Sequence, residues 1–235
     1  LGFVQIAHAQ ITLNTTVGST GYTGSNSLIN NYITFVIDNS ANTDPMLLDE
    51  VGQWTSSTQS GNTATLWYSS VSLSGAPPTT LSAPDWIMVA SGTVPAITTT
   101  GVNTVLSGLN FVIPAGAVYR FALHMSGTCY YSGTNTTFCS PSVFTSGDVS
   151  LRVGNDQING ANIGYGGSVN TPRWFTGSVT LISTTPCSGQ PTAGTLNAPA
   201  QVCANTAFTL AASGMSYGNG IEYQWEESTD GGMTW

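Results

Sequence analysis

The chain has 235 residues, 40% of them hydrophobic, which allows one large or two modest domains with a sizeable core. Only 6% are charged, lysine is absent, and Arg120, Arg152 and Arg173 stand against eleven carboxylates for a net charge of -8. That balance excludes nucleic acid as a partner and insertion into an anionic membrane, because both call for basic residues.

The first ten residues, "LGFVQIAHAQ", carry an apolar run that ends in Ala7-His8-Ala9, small residues either side of one position before Gln10. Residues 1–9 read as the remnant of a signal peptide, which implies export to the cell surface or the extracellular space. An ordinary first strand is the competing reading. No run reaches the roughly 18 apolar residues of a membrane-spanning helix.

Beyond that point helical periodicity is hard to find. Short apolar alternations bounded by Gly, Pro, Asn and Ser predict strands over 11–17, 32–38, 64–70, 85–92, 102–112, 118–125, 149–153 and 174–182. The stretch "FVIPAGAVYRFALHM" is the clearest. Pro114-Ala115-Gly116 punctuates two runs, and the second places Tyr119, Phe121, Leu123 and Met125 on one face. Arg120, Ala122 and His124 share the other. About eight strands fit a jelly-roll-like antiparallel β-sandwich over residues 10–184. A Pro/Gly/Ser/Thr linker over 185–193 follows, and residues 194–235 form a second, incomplete β domain. Its apolar residues, Phe208, Leu210, Ile221, Tyr223 and Trp225, are too few to cover one another.

Export makes disulfides the default for the four cysteines. Cys129 and Cys139 bracket the turn-rich "YYSGTNTTF" and are expected to pair. Zinc lacks a C-x-x-C or a nearby His pair. Cys187 and Cys203 either pair with each other or take partners beyond Trp235.

The catalytic inventory is thin. His124 is the one histidine outside the signal-peptide remnant, no G-x-S-x-G anchors a nucleophile, and the carboxylates sit in no glycosidase pattern. The sequence reads as a non-enzyme. Two oxygen-rich loops, "DNSANTD" and "GNDQINGAN", offer Asp38, Asp44, Asn155 and Asp156 as candidate ligands of a structural calcium, although Asx residues also serve tight turns with no metal. No other cofactor is expected. For sugar binding, the alternation in "RWFTGSVTL" turns Phe175, Val179 and Leu181 inward and Trp174 outward. Trp174 and Trp67 are then candidate platforms, with Arg120 and His124 as polar candidates. Burial of both tryptophans is the competing reading. Trp86 belongs to the core, because both alternating sets around it are apolar.

A resemblance extends these readings. Pro191, Gly194, Val202-Cys203, Phe208-Thr209-Leu210, Tyr223-Gln224-Trp225, Ser228, Asp230-Gly231 and Trp235 resemble the start of an Ig-like repeat of large secreted Bacteroidota proteins that end in type IX secretion sorting domains. "GLNFVIPAGAVYRFAL" and "IGYGGSVNTPRWFTGSVTL" resemble the β-sandwich module that precedes such repeats. The resemblance implies that Cys203 pairs with a later cysteine across Trp225, and that the chain stops inside its second domain. The function expected is a structural or adhesive module of an exported protein. A carbohydrate-binding module tethering an enzyme, and a filament subunit completed by strand donation, are the alternatives. The expected partners are extracellular polysaccharide or further copies of the chain.

Overall fold

The computed structural model describes residues 10–134, 136–157, 162–164, 169–184, 195–197, 207 and 211–213. The chain divides into two compact units, of which one is Gln10–Thr184. Its strands open with β1 (Gln10–Asn14), β2 (Asn26–Asp38), β3 (Met46–Thr55), β4 (Thr63–Ser69) and β5 (Ile87–Thr93). Next come β6 (Gly101–Leu106), β7 (Phe111–Ile113), β8 (Val118–Ser132), β9 (Val143–Ser146) and β10 (Val149–Arg152). The last are β11 (Asn162–Gly164), β12 (Val169–Asn170), β13 (Trp174–Phe175) and β14 (Gly177–Ser183). In the other unit, β15 (Thr195–Asn197) pairs antiparallel with β16 (Ala211–Ser213). The signal-peptide remnant, Cys187, Cys203 and Trp225 lie outside the described residues.

The described residues are all-β, and Gln10–Thr184 is a sandwich of two antiparallel sheets. The first runs β1-β14-β3-β6, with β7 also on β3; the second runs β12-β11-β2-β8-β4-β5, with β10 on β2, β9 on β10 and β13 on β8. Four of these pairings are nested: β1 with β14, β2 with β8, β3 with β6 and β4 with β5. They are the rungs of one long hairpin whose tip lies between β4 and β5. Rolling that hairpin up brings β14 beside β3 and β8 beside β4. This is the jelly-roll topology.

Both inner faces feed one core. Leu48, Val51, Val179 and Leu181 come from the first sheet, and Ile33, Phe35, Leu66, Phe121 and Leu123 from the second. Phe35 stacks on Phe175 at 4.4 Å between centroids and on Phe121 at 5.6 Å. Phe111 reaches across from β7 to Tyr68 at 4.7 Å and Phe121 at 5.8 Å. Each such side chain removed from water contributes roughly 1.5–3 kcal/mol.

Several elements differ from the predicted strands, and three of the differences shape the fold. The central strand of the first sheet, β3, is not among those predicted, because Asp49 and Glu50 interrupt its apolar residues. The strand predicted over 102–112 is broken into β6 and β7, which still run along the same neighbour; Leu109 N donates to the Asp49 carbonyl at 3.0 Å between them. The strand predicted over 174–182 changes sheets: β13 pairs with β8, and β14 pairs with β1 and β3. A strand that turns such a corner loses its simple two-residue alternation. Trp174 and Phe175 are therefore both fully buried.

The expected Cys129–Cys139 bridge is not formed. Cys129 lies within β8 opposite Leu28, and the strand runs on to Ser132 before turning. Cys139 is carried instead to the connection after β1, where Ser140 bridges to Thr20. There its thiol donates to the Gly21 carbonyl at 3.3 Å. Burial pushes the Cys139 thiol up to about 11, which favours its protonated form at neutral pH.

Candidate functional site

The register of the second sheet gathers three of the four candidate ligand-binding residues on its outer face. Arg120 lies opposite Val36 and Ser69, Ala122 opposite Thr34 and Trp67, and His124 opposite Tyr32 and Thr65. Directly opposed residues point to the same side of a sheet, so this face carries Arg120, His124 and Trp67 together.

Much of it is covered. Ser69 Oγ accepts the amides of Val71 and Ser72, at 3.3 and 2.8 Å, and turns the chain out of β4. The following segment, residues 70–86, then crosses the sheet. Arg120 pins it: Nη1 donates to the Gly75 carbonyl at 2.9 Å and to that of Ser72 at 3.5 Å, while Nη2 reaches Thr34 Oγ1 at 3.4 Å. The Tyr32 hydroxyl donates to the Pro78 carbonyl. Leu81 and Trp86 pack with Tyr32 and Ala122 into a second small core, with Trp67 half-buried against it. Trp86 is core, as its flanking residues predict, though on this outer side. Arg120 is fully buried, and burial pushes its guanidinium down to about 10, against the opposing influence of Tyr32. It is a strut under the covering segment, not a surface ligand.

His124 lies toward the open part of the face. Its Nε2 is 2.9 Å from Asn30 Oδ1. Asn30 occupies a left-handed conformation (φ +52) at the irregularity between Ile29 and Asn31, which aims its side chain across at β8. Burial holds the His124 imidazole below its ordinary value. The unfolded chain therefore binds this proton more readily, and stability falls as pH drops through the unfolded value. Thermal unfolding should show a lower midpoint at about pH 5.5 than at about pH 7.5, and His124→Gln should flatten that slope. An unchanged slope in the variant would assign the effect elsewhere.

Trp174 is absent from this face. Its Nε1 donates to Ser142 Oγ at 3.1 Å, and the Phe138 ring meets it edge-on at 5.6 Å. Two glycines in the left-handed region press on its ring: a Cβ would come within 2.2 Å of it at Gly133 (φ +73) and within 2.0 Å at Gly154 (φ +59). Trp174 is a packing residue: of the two readings, platform and burial, its complete burial bears out the second and removes the first.

Of the two loops nominated for calcium, the one over residues 38–44 holds itself together. Asp38 Oδ1 accepts the Ser40 amide at 2.9 Å and the Ser40 hydroxyl at 2.5 Å, and Oδ2 meets Arg152 Nη2 at 2.5 Å. Burial opposes ionisation of Asp38, but Ser40 and the Arg152 guanidinium outweigh it and hold the carboxyl below its usual value. Asn39 Nδ2 donates to the carbonyl of Asp44 at 3.1 Å and to that of Pro114 at 3.0 Å, and Asn42 Oδ1 accepts the Asp44 amide at 3.2 Å. Asn155 is exposed in a short turn, and the Asp156 side chain lies outside the described residues. Among the described residues no three of His, Cys, Asp and Glu converge. Beside the Asp38–Arg152 pair is an open cleft of about 230 Å³, walled by Asp148, Ser40, Thr145 and Ser150. Charge patterning alone does not single it out, because β9, which supplies Thr145, is not among the predicted strands.

Fold and faces together define a jelly-roll module with one sheet face largely roofed over. No family model matches the chain, and no curated protein matches it. A structure of the Gx strain of infectious bursal disease virus is similar over 76% of this chain and 36% of that one, with 17% identity and a TM-score of 0.16. The chain thus spans about a third of that protein, and the likeness carries no argument.

Proposed function

We propose that Gln10–Thr184 is a non-catalytic structural or adhesive module of an exported cell-surface or extracellular protein. The observation that carries this reading is the use made of its chemically capable side chains. Arg120 is spent on the carbonyls of residues 70–86, Trp174 on Ser142 and two glycines, and Asp38 on Arg152 and Ser40. A surface rich in Ser, Thr and Asn suits a module that works outside the cell. Purified protein coated on a surface should retain cells or matrix polysaccharide, and it should turn over no ester, peptide or glycoside in a broad substrate panel. Hydrolysis abolished by a single substitution at Asp38, Asp148 or His124 would overturn the proposal.

Carbohydrate binding is the second reading, favoured by Trp67. This side chain is half-buried beside the exposed Met88, on a face that also bears His124 and the Thr65–Ser91 hydroxyl pair at 2.8 Å. Trp67→Ala should then abolish polysaccharide retention, with binding isotherms as the readout. Retention unchanged by that substitution removes the second reading.

A further inference from the structure

Gln53 of β3 and Cys129 of β8 meet in the interior between the two sheets, and both are fully buried. β4 stops pairing with β8 at Ala64 opposite Met125. The β8 backbone beyond it needs a donor from elsewhere, and Gln53 Nε2 reaches the Tyr130 carbonyl at 2.9 Å. The same nitrogen lies 3.2 Å from Cys129 Sγ. The other end of the carboxamide, Oε1, is buried and has no hydrogen-bond partner. A thiol is thus held against a buried amide whose carbonyl is engaged by nothing, a costly arrangement for an ordinary glutamine.

We propose that Gln53 and Cys129 form an internal thioester that links the two sheets covalently. The sulfur adds to the Gln53 side-chain carbonyl carbon, making the S–C bond. The C–N bond to Nε2 breaks, and the thiol proton leaves with that nitrogen as ammonia. No oxidant, reductant or further reactant enters. The Gln53 amide donates to Cys129 Sγ at 3.2 Å, which holds the sulfur beside the carboxamide it would attack. Two strands in different sheets hold the partners next to each other, which removes most of the entropy cost of bringing them together. Exclusion of water protects the product from hydrolysis. The step takes the Nε2 donor away from the Tyr130 carbonyl, a cost the covalent link must offset, while the Gln53 carbonyl itself has no hydrogen bond to lose. This inference is independent of the adhesive reading.

Mass spectrometry of the full chain, kept at neutral pH with a phosphine reductant and no added thiol, tests it. The intact mass should fall short of the sequence mass by one ammonia. Digestion should yield the Gln53 and Cys129 peptides joined by a link that survives the phosphine and is cleaved by hydroxylamine, leaving a hydroxamate at position 53. Cys129→Ser should restore the full mass, a readout that needs no folded protein. Glutamate at position 53 in the native sequence but not in the Cys129→Ser chain would report the same bond after hydrolysis, in support. Full sequence mass with Cys129 alkylated in denaturant and reductant alone would overturn the proposal and leave a hydrogen-bonded pair.

Discussion

Trp174→Ala should destabilise the Gln10–Thr184 unit by about 3–5 kcal/mol, the range for removing a large aromatic side chain from a packed core. In a domain of this size that corresponds to a melting midpoint lower by roughly 6–20 °C. The expectation rests on complete burial, on the bond to Ser142 and on the two glycines that leave the ring no room to shift. Trp174→Phe should cost less, because much of the ring volume is kept and the Ser142 hydroxyl can rotate to another partner. Gly154→Ala attacks the same contact from the other side, adding a methyl group where the indole already sits. Differential scanning calorimetry of the three variants would check the order. An alanine variant that melts with the parent would show that the indole is dispensable to the fold.

Arg120→Met should cost about 3 kcal/mol or more, although it keeps most of the aliphatic volume. The loss comes from the carbonyls of Gly75 and Ser72, which face the buried side of the covering segment and are left without their charged donor. The damage should be local as well as global. Residues 70–86 should become the first site of cleavage by a protease of broad specificity, with the buried Leu81 newly accessible. Trypsin is unsuitable, since the chain has no lysine and only three arginines. A variant that unfolds at a lower temperature but resists cleavage in that segment would refute the role of Arg120 as its strut.

These residues also mark how far the sequence could be read. The alternation of Phe121, Leu123 and Met125 against Arg120, Ala122 and His124 is borne out by their faces, and so is the two-sheet fold. Alternation says which residues share a face and nothing of what lies over it. The burial of Arg120 depends on a long loop with Pro77, Pro78 and Pro84 that has no periodicity to read. The alternation turns Trp174 outward because 174–182 looks like one strand; the change of sheet between β13 and β14 leaves no signal except Gly177. β3 shows the opposite failure. Its Asp49 and Glu50 are half-buried at the irregular stretch where β6 gives way to β7. A local interruption therefore hid a central strand. The Gln53–Cys129 contact joins residues 76 positions apart, and only the rolled topology brings them together.

The outermost rung of the nested hairpin has a mechanical consequence. Gln10 pairs with Ile182 and Asn14 with Ser178, so the two ends of the module leave from the same corner. Tension applied through those ends does not shear β1 along its neighbour. It opens the rungs one at a time, starting at Gln10 and Ile182, as a zipper opens. Backbone hydrogen bonds loaded in sequence yield at lower force than the same bonds loaded together. A pull on this module should therefore release β1 first, as a short and early extension, while the aromatic core between the sheets remains closed. Such a module would act as a compliant joint that gives a little under strain and recovers when β1 settles back beside β14.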